Sequence, residues 1–362
     1  MTQSRRFFIT GSAVASLFLG TSRLALAMGT PPRVALITPS AVAEVGWSHE
    51  LARGAQAIVD ANPGAMLTIM DGVAEGPDAD RMMQKAVVDG HDFIILGSFG
   101  YQNGGVQLAR RNPGVAVLHA SGFQVLKNFA PFTAKNYEGT YLMGVAAASV
   151  SKSGKFGVVA AFAIPELILS INAFARGAQT VRPDVQVSVV WVNSWFDPAA
   201  ERDAAMALVA QGCDVLFSNA QDTPSVVATA ESAGVYVFNL NSSMKASAPT
   251  HYLGIVGTDW APFFTQQAAA HLAGSFRGAN HWLGIADGLI RVAEIHPDVP
   301  ADVRTRMTEA ETAIAAGKLT PFDGPVVRAD GTEVVPAGQS LPMEQVMQMD
   351  WHVQGVTTPL PR

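Results

Sequence analysis

The sequence has almost no cysteine, few charged residues and no excess of positive charge. Its 362 residues include one cysteine, Cys213, which excludes an internal disulfide and a CxxC-type zinc or iron–sulfur site. Lysine and arginine total 24 against 30 aspartate and glutamate, and this net charge of −6 provides no basic face for DNA or RNA. Hydrophobic residues make up 49 %, which is typical of a packed globular protein and excludes a disordered one.

Signatures of catalysis are also missing. The sequence contains no GxSxG, HExxH, GxxxxGK[ST] or GxGxxG motif. The eight histidines are scattered, and no two are four residues apart on a helix, so we expect no metal site and no cofactor. Cys213 lies between a predicted helix end and a buried strand, which favours an inert core thiol. We therefore expect a protein that is not an enzyme.

Residues 1–27 are predicted to be an export signal. Arg5 and Arg6 precede a short apolar stretch, and the segment 25–27 (ALA) is a small-x-small cleavage site. The Arg-Arg-x-Phe pattern resembles the twin-arginine class, and an ordinary Sec signal is the alternative. No cysteine follows the signal to carry a lipid, so we expect a periplasmic protein without a lipid anchor. Beyond residue 27 no run is long and apolar enough to span a bilayer.

Short apolar runs alternate with helical patterns from Arg33 onward. The predicted strands are 34–37, 66–70, 93–96, 155–161, 185–192, 214–217, 235–240 and 251–256. The predicted helices are 48–61, 81–88, 165–181, 198–211, 224–233, 260–272 and 301–316. A hairpin is predicted around Asp330-Gly331. This alternation is typical of parallel sheets with crossover helices.

The chain repeats itself at nearly constant spacing. The segment 51–56 (LARGAQ) returns at 174–179 as FARGAQ, and 90–95 (GHDFII) returns at 212–217 as GCDVLF. Pro63 returns as Pro183. Three matches in the same order indicate two βαβ lobes of similar size. We predict lobe 1 over 33–137 plus about 257–283, lobe 2 over 138–256 plus about 284–320, and a C-terminal hairpin and tail over 321–362.

The candidate binding residues follow the predicted strands. Ligands of open α/β sheets bind beyond the carboxyl ends of the strands, and two facing lobes place both sets of ends on one cleft. These loops are rich in aromatic and amide side chains, which suit a planar or ring-shaped ligand. The predicted contacts are Trp47, Phe99, Gly100, Tyr101, Phe123, Pro165, Glu166, Trp195, Asp222, Asn241, Ser242, Ser243 and Trp260.

The aromatic candidates have structural alternatives. Trp47, at a helix start beside a glycine, could be a hydrophobic staple instead of a ligand contact. Trp195 could wedge the hinge side of lobe 2. Phe99 and Tyr101 could pack within their loop.

The acidic candidates have alternatives as well. Asp197 precedes a proline at a helix start and is interpreted as an N-cap. Asp222 could be a cap too, but Thr223 can take that role, which would leave Asp222 free for a ligand.

Eight short motifs together carry a resemblance to a known family. They are 44–47 (EVGW), 137–146 (YEGTYLMGVA), 164–166 (IPE), 171–174 (INAF), 195–198 (WFDP), 222–224 (DTP), 260–264 (WAPFF) and 349–356 (MDWHVQGV). With these motifs the chain resembles the basic-membrane-protein family of ABC-transporter substrate-binding proteins, which includes bacterial purine-nucleoside receptors. The match covers nearly all of the chain after the signal.

The resemblance implies a type I periplasmic-binding-protein fold, an α/β fold whose two Rossmann-like lobes with parallel sheets are joined by a hinge. It also implies a purine-like ligand and an ABC permease in the inner membrane as partner. By carry-over, Trp47 and Phe99 or Trp195 would sandwich the base, and Asp222 would accept its N–H groups.

Two departures bear on the ligand. Asn241-Ser242-Ser243 stands where relatives carry acidic residues that hold ribose, which favours a bare base over a nucleoside. The segment 259–262 (DWAP) is a mild variation on Asn-Trp-Gly-Pro.

The sequence thus predicts a periplasmic protein that captures a small planar heterocycle, with a purine base favoured, and delivers it to a permease. A chemotaxis or signalling sensor and a sugar-type ligand are the alternatives, because both use the same trap. A nucleoside hydrolase would need an acidic cluster that the cleft loops lack.

Overall fold

The fold is built on two six-stranded sheets and a small hairpin. The computed structural model describes residues 30–361, so the predicted export signal lies outside the described residues. The strands are β1 (Arg33–Ile37), β2 (Met66–Met70), β3 (Phe93–Leu96), β4 (Ala116–Ala120), β5 (Phe129–Ala134), β6 (Lys155–Ala160), β7 (Gln186–Trp191), β8 (Val215–Asn219), β9 (Tyr236–Asn241), β10 (Tyr252–Thr258), β11 (His281–Leu283), β12 (Ile290–Ala293), β13 (Val326–Val327) and β14 (Glu333–Val335).

Ten helices surround these sheets in the described part of the chain. They are α1 (Trp47–Ala61), α2 (Pro77–Val88), α3 (Gln102–Arg111), α4 (Asn136–Val150), α5 (Pro165–Gln179), α6 (Pro198–Ala210), α7 (Ser225–Ala233), α8 (Ala261–Leu272), α9 (Ala301–Ala315) and α10 (Met343–Met347). None of the helices within residues 30–361 is both long and apolar enough to cross a membrane.

Five strands of each sheet follow the same order and direction, which agrees with the two similar βαβ lobes predicted from the sequence repeat. The first sheet has the order β11-β5-β4-β3-β1-β2, and the second has β12-β10-β9-β8-β6-β7. Every strand pair is parallel except β10 with β12. Strands covered on both faces by helices are continuous apolar runs, as β3 shows with four buried residues.

The chain passes between the sheets three times. It crosses from β5 to α4, from β10 to α8, and from β11 to β12. Helix α8 packs against α1, and α4 packs against α5. We define lobe 1 as the first sheet with α1, α2, α3 and α8, and lobe 2 as the second sheet with α4 to α7 and α9. We propose that the three crossings form the hinge.

The C-terminal segment is attached to lobe 2. The predicted hairpin is confirmed, since β13 and β14 pair antiparallel. Val187 of the edge strand β7 donates its N–H to the Gly355 carbonyl at 2.8 Å and accepts from the Thr357 N–H at 2.9 Å. The buried Asn172 donates to the Trp351 carbonyl at 2.7 Å and accepts from the Val353 N–H at 3.1 Å. The tail therefore covers the edge of the second sheet.

Candidate ligand-binding site

A cavity lies between the two lobes. Its walls are the residues that follow the carboxyl ends of strands in both sheets, which is where open α/β folds place their ligands. The lining residues are Pro39, Trp47, Gly97, Ser98, Phe99, Ala120, Ser121, Asn136, Ile164, Glu166, Leu167, Trp195, Ala220, Asp222 and Asn241. Six of the thirteen predicted contacts are in this set.

Three aromatic side chains belong to the lining. Trp47 and Phe99 come from lobe 1, and Trp195 comes from lobe 2. The indole Nε1 of Trp47 donates to the Gly97 carbonyl at 2.8 Å, which fixes the orientation of the ring. The indole Nε1 of Trp195 lies 3.4 Å from Oε1 of Glu75, a lobe 1 residue. Both lobes therefore supply flat apolar surface to one cavity.

Glu166 is a carboxylate in the cavity wall, at the start of α5. It accepts hydrogen bonds from the Ser121 hydroxyl and from Nδ2 of Asn136, the latter at 3.3 Å. Burial raises the pKa of Glu166 to about 7, and these two hydrogen bonds lower it only partly. Near neutral pH this carboxyl group can therefore either accept a hydrogen bond or donate one.

Two amide oxygens in the wall are buried without a partner among residues 30–361. They are Oδ1 of Asn136, the first residue of α4, and Oδ1 of Asn241, the last residue of β9. Asn241 has a backbone φ of 74°, a left-handed conformation that asparagine tolerates better than most residues. A buried acceptor without a donor costs free energy, so these oxygens favour a ligand that brings N–H or O–H groups.

Asp222 lines the cavity, and its carboxylate is already engaged with residues of lobe 1. The hydroxyl of Thr223 accepts the N–H of Ser225, the first residue of α7, at 3.1 Å. The carboxylate of Asp222 instead accepts hydrogen bonds from Ser40, Trp47 and Ser48 of lobe 1. Burial raises the pKa of Asp222, and these donors act against that rise. The sequence could not show that another lobe's helix would reach it.

Five predicted contacts lie outside the cavity lining. Tyr101 is buried with its hydroxyl on the Val73 carbonyl at 2.5 Å. Trp260 is fully buried, and its ring packs edge-on against the ring of Trp47 with 5.7 Å between the ring centroids. The remaining three are Gly100, Ser242 and Ser243. Oγ of Ser242 accepts the Gly46 N–H at 2.6 Å, and the hydroxyl of Ser243 donates to Glu294 at 2.8 Å.

The last two predicted contacts line a neighbouring cavity. Phe123 and Pro165 face a space that also touches Trp282 and Met347 near the C-terminal helix α10. Phe99, Ser121, Ile164 and Glu166 belong to both cavities. Phe123 is 64 % exposed, so this second space opens to the surface.

Nine lining residues were not among the predicted contacts, and two of these, Asn136 and Leu167, also lie outside the loops that the sequence analysis considered. Asn136 follows β5, which the sequence analysis did not predict because Pro131 interrupts its apolar run. The signal available was its place directly before the 137–146 motif. Leu167 lies one residue beyond the recognised 164–166 segment.

No lysine, arginine or histidine is among the fifteen residues of the cavity wall. The charged groups there are the carboxyls of Glu166 and Asp222. Within residues 30–361 no cluster of three histidine, cysteine or acidic side chains could hold a metal ion. The wall therefore offers aromatic faces, amide groups and carboxyl groups to whatever occupies the cavity.

Comparison with known proteins agrees with this geometry. A family model described as "ABC transporter substrate-binding protein PnrA-like" (Bmp) matches residues 32–316. A purine-binding protein of Brucella abortus is 36 % identical over 320 residues, which are 88 % of this chain and 91 % of that protein. A Haloferax volcanii protein, whose name proposes glucose binding for an ABC transporter, is 32 % identical over 307 residues, 84 % of this chain and 78 % of that protein.

A solved structure has the same fold. An ABC-transporter solute-binding protein from Aeropyrum pernix K1 superposes with a TM-score of 0.73 over 82 % of this chain and 94 % of that chain, at 16 % identity. The two parallel-sheet lobes are thus the type I fold of periplasmic solute-binding proteins, as predicted. The family match covers both lobes, and the chain belongs to the Bmp family of PnrA-like substrate-binding proteins of ABC transporters.

Proposed function

We propose that this ABC-transporter substrate-binding protein captures a purine base in the periplasm and presents it to its permease. The observation that carries the proposal is the composition of the cavity wall. Trp47, Phe99 and Trp195 provide aromatic faces, and Asn136 and Asn241 provide buried oxygens without donors. A purine base offers a flat ring for the first group and N–H donors for the second.

The charges of the wall support a neutral ligand. An anion entering this cavity would meet Glu166 and Asp222 and no cationic side chain of the wall. Removing an anion from water without a compensating positive charge is costly. We therefore infer that nucleotides and other phosphorylated compounds are rejected.

The segment 241–243 supports a base over a nucleoside. It carries no carboxylate for the ribose hydroxyls, and two of its side chains are already engaged. Ser242 accepts the Gly46 N–H, and Ser243 donates to Glu294. Only Asn241 of this segment lines the cavity. The purine-binding name of the Brucella abortus relative is consistent with this choice.

A sugar is the second candidate, favoured by the name of the Haloferax volcanii relative. Sugars also stack on aromatic rings, and their hydroxyl groups can donate to amide oxygens. They present those hydroxyls all round the ring, however, whereas this wall concentrates its polar groups on Glu166 and the two asparagines.

A thermal-shift screen followed by calorimetry tests the proposal. Anything that binds only the native state raises the melting temperature in proportion to ln(1 + [L]/Kd), so ligands can be ranked at equal concentration. We expect adenine, guanine or hypoxanthine to give the largest shift, the matching nucleosides a smaller one, and AMP, ribose and glucose none. A larger shift with glucose than with every base would overturn the proposal.

A further inference from the structure

The carboxylate of Asp222 accepts three hydrogen bonds from the opposite lobe. Asp222 follows β8 in lobe 2 and is 4 % exposed. Its Oδ1 accepts the backbone N–H of Trp47 at 2.5 Å, and its Oδ2 accepts the Ser48 hydroxyl at 3.1 Å and the Ser40 hydroxyl. All three donors belong to lobe 1.

The contact caps a helix that has no cap of its own. The residue before α1 is Gly46, which has no side chain to accept the first N–H groups of the helix. Those N–H groups carry the positive end of the helix dipole and favour a negative charge. Asp222 supplies that charge from the opposite lobe.

At this contact the backbone of Gly46 in lobe 1 lies close to residues of lobe 2. Gly46 has a φ of +98°, and a Cβ added to it would lie 2.6 Å from Oδ1 of Asp222. Its N–H donates to Oγ of Ser242 in lobe 2 at 2.6 Å. Position 46 therefore favours glycine for two reasons, the positive φ of its backbone and the close approach of Asp222.

Asp197 provides an internal comparison. Its Oδ1 accepts the Ala200 N–H at 3.0 Å and caps α6. Both α6 and Asp197 belong to lobe 2, so this cap persists whatever the distance between the lobes. Asp222 makes the same kind of contact, but only when the lobes are together.

We propose that Asp222, with Ser40 and Ser48, is a closure latch that holds the lobes together in the absence of ligand and positions the Trp47 indole at the cavity wall. Asp222 then acts on affinity through the closed fraction and not through a contact with the ligand. Because the apparent Kd equals the intrinsic Kd divided by the closed fraction, loss of the latch weakens binding by the factor by which that fraction falls.

The test measures closure without ligand. Donor and acceptor dyes are attached to cysteines introduced at two exposed positions, Asn103 of lobe 1 and Arg202 of lobe 2. The native Cys213 is buried, so we expect it to take no label. Energy transfer is compared in four dye-labelled proteins. They are the labelled protein without further substitution, Asp222→Ala, the double variant Ser40→Ala with Ser48→Ala, and the control Asp197→Ala. Circular dichroism checks that each variant folds.

We expect Asp222→Ala and the double serine variant each to lower the closed fraction at least fivefold, and Asp197→Ala to leave it unchanged. Calorimetry with adenine should then show an affinity loss that matches the loss of closed fraction. The double serine variant leaves the Asp222 carboxylate in place. If Asp222→Ala fails to fold, the closed fraction of the double serine variant therefore tests the proposal.

Unchanged energy transfer in both latch variants would overturn the proposal. An affinity loss with an unchanged closed fraction would also overturn it, since Asp222 would then contact the ligand directly. The ligand-free comparison does not depend on the identity of the ligand, so a failure of the purine proposal leaves this result readable.

Discussion

At the residue scale, Trp47 is fixed by contacts on several sides of its ring and backbone. Its indole Nε1 is bonded to the Gly97 carbonyl, its N–H is bonded to Asp222, and its ring meets the edge of Trp260. A side chain that is already ordered loses little conformational entropy when a ligand stacks on it. Trp47 thus presents an ordered aromatic ring at the cavity wall.

Trp47→Ala should weaken binding of adenine by about 5- to 150-fold, because one base–aromatic stack contributes about 1–3 kcal/mol. Titration calorimetry measures the change. Trp351→Ala is the matched control, since that indole packs under Arg328 in the C-terminal segment and lies outside the cavity. Equal affinity in Trp47→Ala and the unsubstituted protein would remove Trp47 from the site.

Glu166 and Glu201 make stability depend on pH. Burial raises the pKa of each carboxyl to about 7, from an ordinary value of 4.5. The native state therefore holds protons that the unfolded chain has already released. Their contribution to stability is fully present below about pH 4.5 and is lost as the pH rises through about 7.

We expect the melting temperature of ligand-free Glu166→Gln at pH 5, relative to that at pH 7.5, to be lower than in the unsubstituted protein, because the substitution removes the stabilisation that protonated Glu166 gives at pH 5. The buried His119 and His352 act in the opposite direction in both proteins, since burial lowers their pKa to about 4. The pH dependence should stay unchanged in Glu309→Gln, an exposed control. Scanning calorimetry in buffers of matched ionic strength measures both. An unchanged pH dependence in Glu166→Gln would show that this carboxyl group does not contribute to it.

Sequence reasoning found the loops of the site more reliably than the direction of their side chains. Trp47, Phe99, Glu166 and Trp195 were predicted because each follows a strand, and all four line the cavity. Trp260 also follows a strand, yet it packs into the core. Which way a loop side chain turns depends on tertiary neighbours that are distant in sequence, and no local pattern records them.

At the scale of the elements, the repeated glycine of LARGAQ and FARGAQ has a packing explanation. A Cβ at Gly54 of α1 would lie 2.8 Å from atoms of Phe264 and Trp260, beside α8. A Cβ at Gly177 of α5 would lie 1.9 Å from the Tyr141 carbonyl of α4. Each lobe therefore uses one glycine to let a second helix cross close to it.

Gly177→Ala should reduce the free energy of unfolding by about 1–3 kcal/mol or more, because α4 and α5 must separate to admit a methyl group. Urea titration followed by circular dichroism measures the loss. Gly114→Ala is the control, since a Cβ there meets nothing within 4 Å and its φ is not positive. If both variants unfold at the same urea concentration, close helix packing is not the role of Gly177.

Most of the predicted helices and strands lie within a few residues of the observed ones, but no range was predicted for α3 or β4. Helix α2 begins at Pro77, four residues before the prediction, because a proline at its first turn and the acidic Asp78 and Asp80 favour an earlier start. Strand β5 was missed because Pro131 disrupts the strand pattern, although all six of its residues are buried. Short edge strands such as β11 depend on a partner strand and leave little local signal.

At the scale of the whole molecule, the hydrophobic core does not stop at the lobe boundary. One cluster of buried side chains includes Val34 and Phe132 of lobe 1, Val158 and Phe238 of lobe 2, and Val353 of the tail. The two lobes and the C-terminal segment thus share packing contacts as well as three chain crossings.

We expect urea to unfold the protein in one transition, because removing one lobe would expose the part of the core that it shares with the other. Tryptophan fluorescence and far-ultraviolet circular dichroism should give the same midpoint. Fluorescence reports on Trp47 and Trp260 near the lobe boundary, and circular dichroism reports on all helices. Two separated midpoints would show that the lobes unfold independently.

The cap that α1 receives from the other lobe has a consequence for local dynamics. When the lobes separate, the Trp47 N–H and the Ser48 hydroxyl lose their acceptor, and the first turn of the helix can fray. Hydrogen exchange at this turn then follows the opening of the whole molecule. The order of the first turn of α1 therefore reports whether the two lobes are closed, with or without a bound ligand.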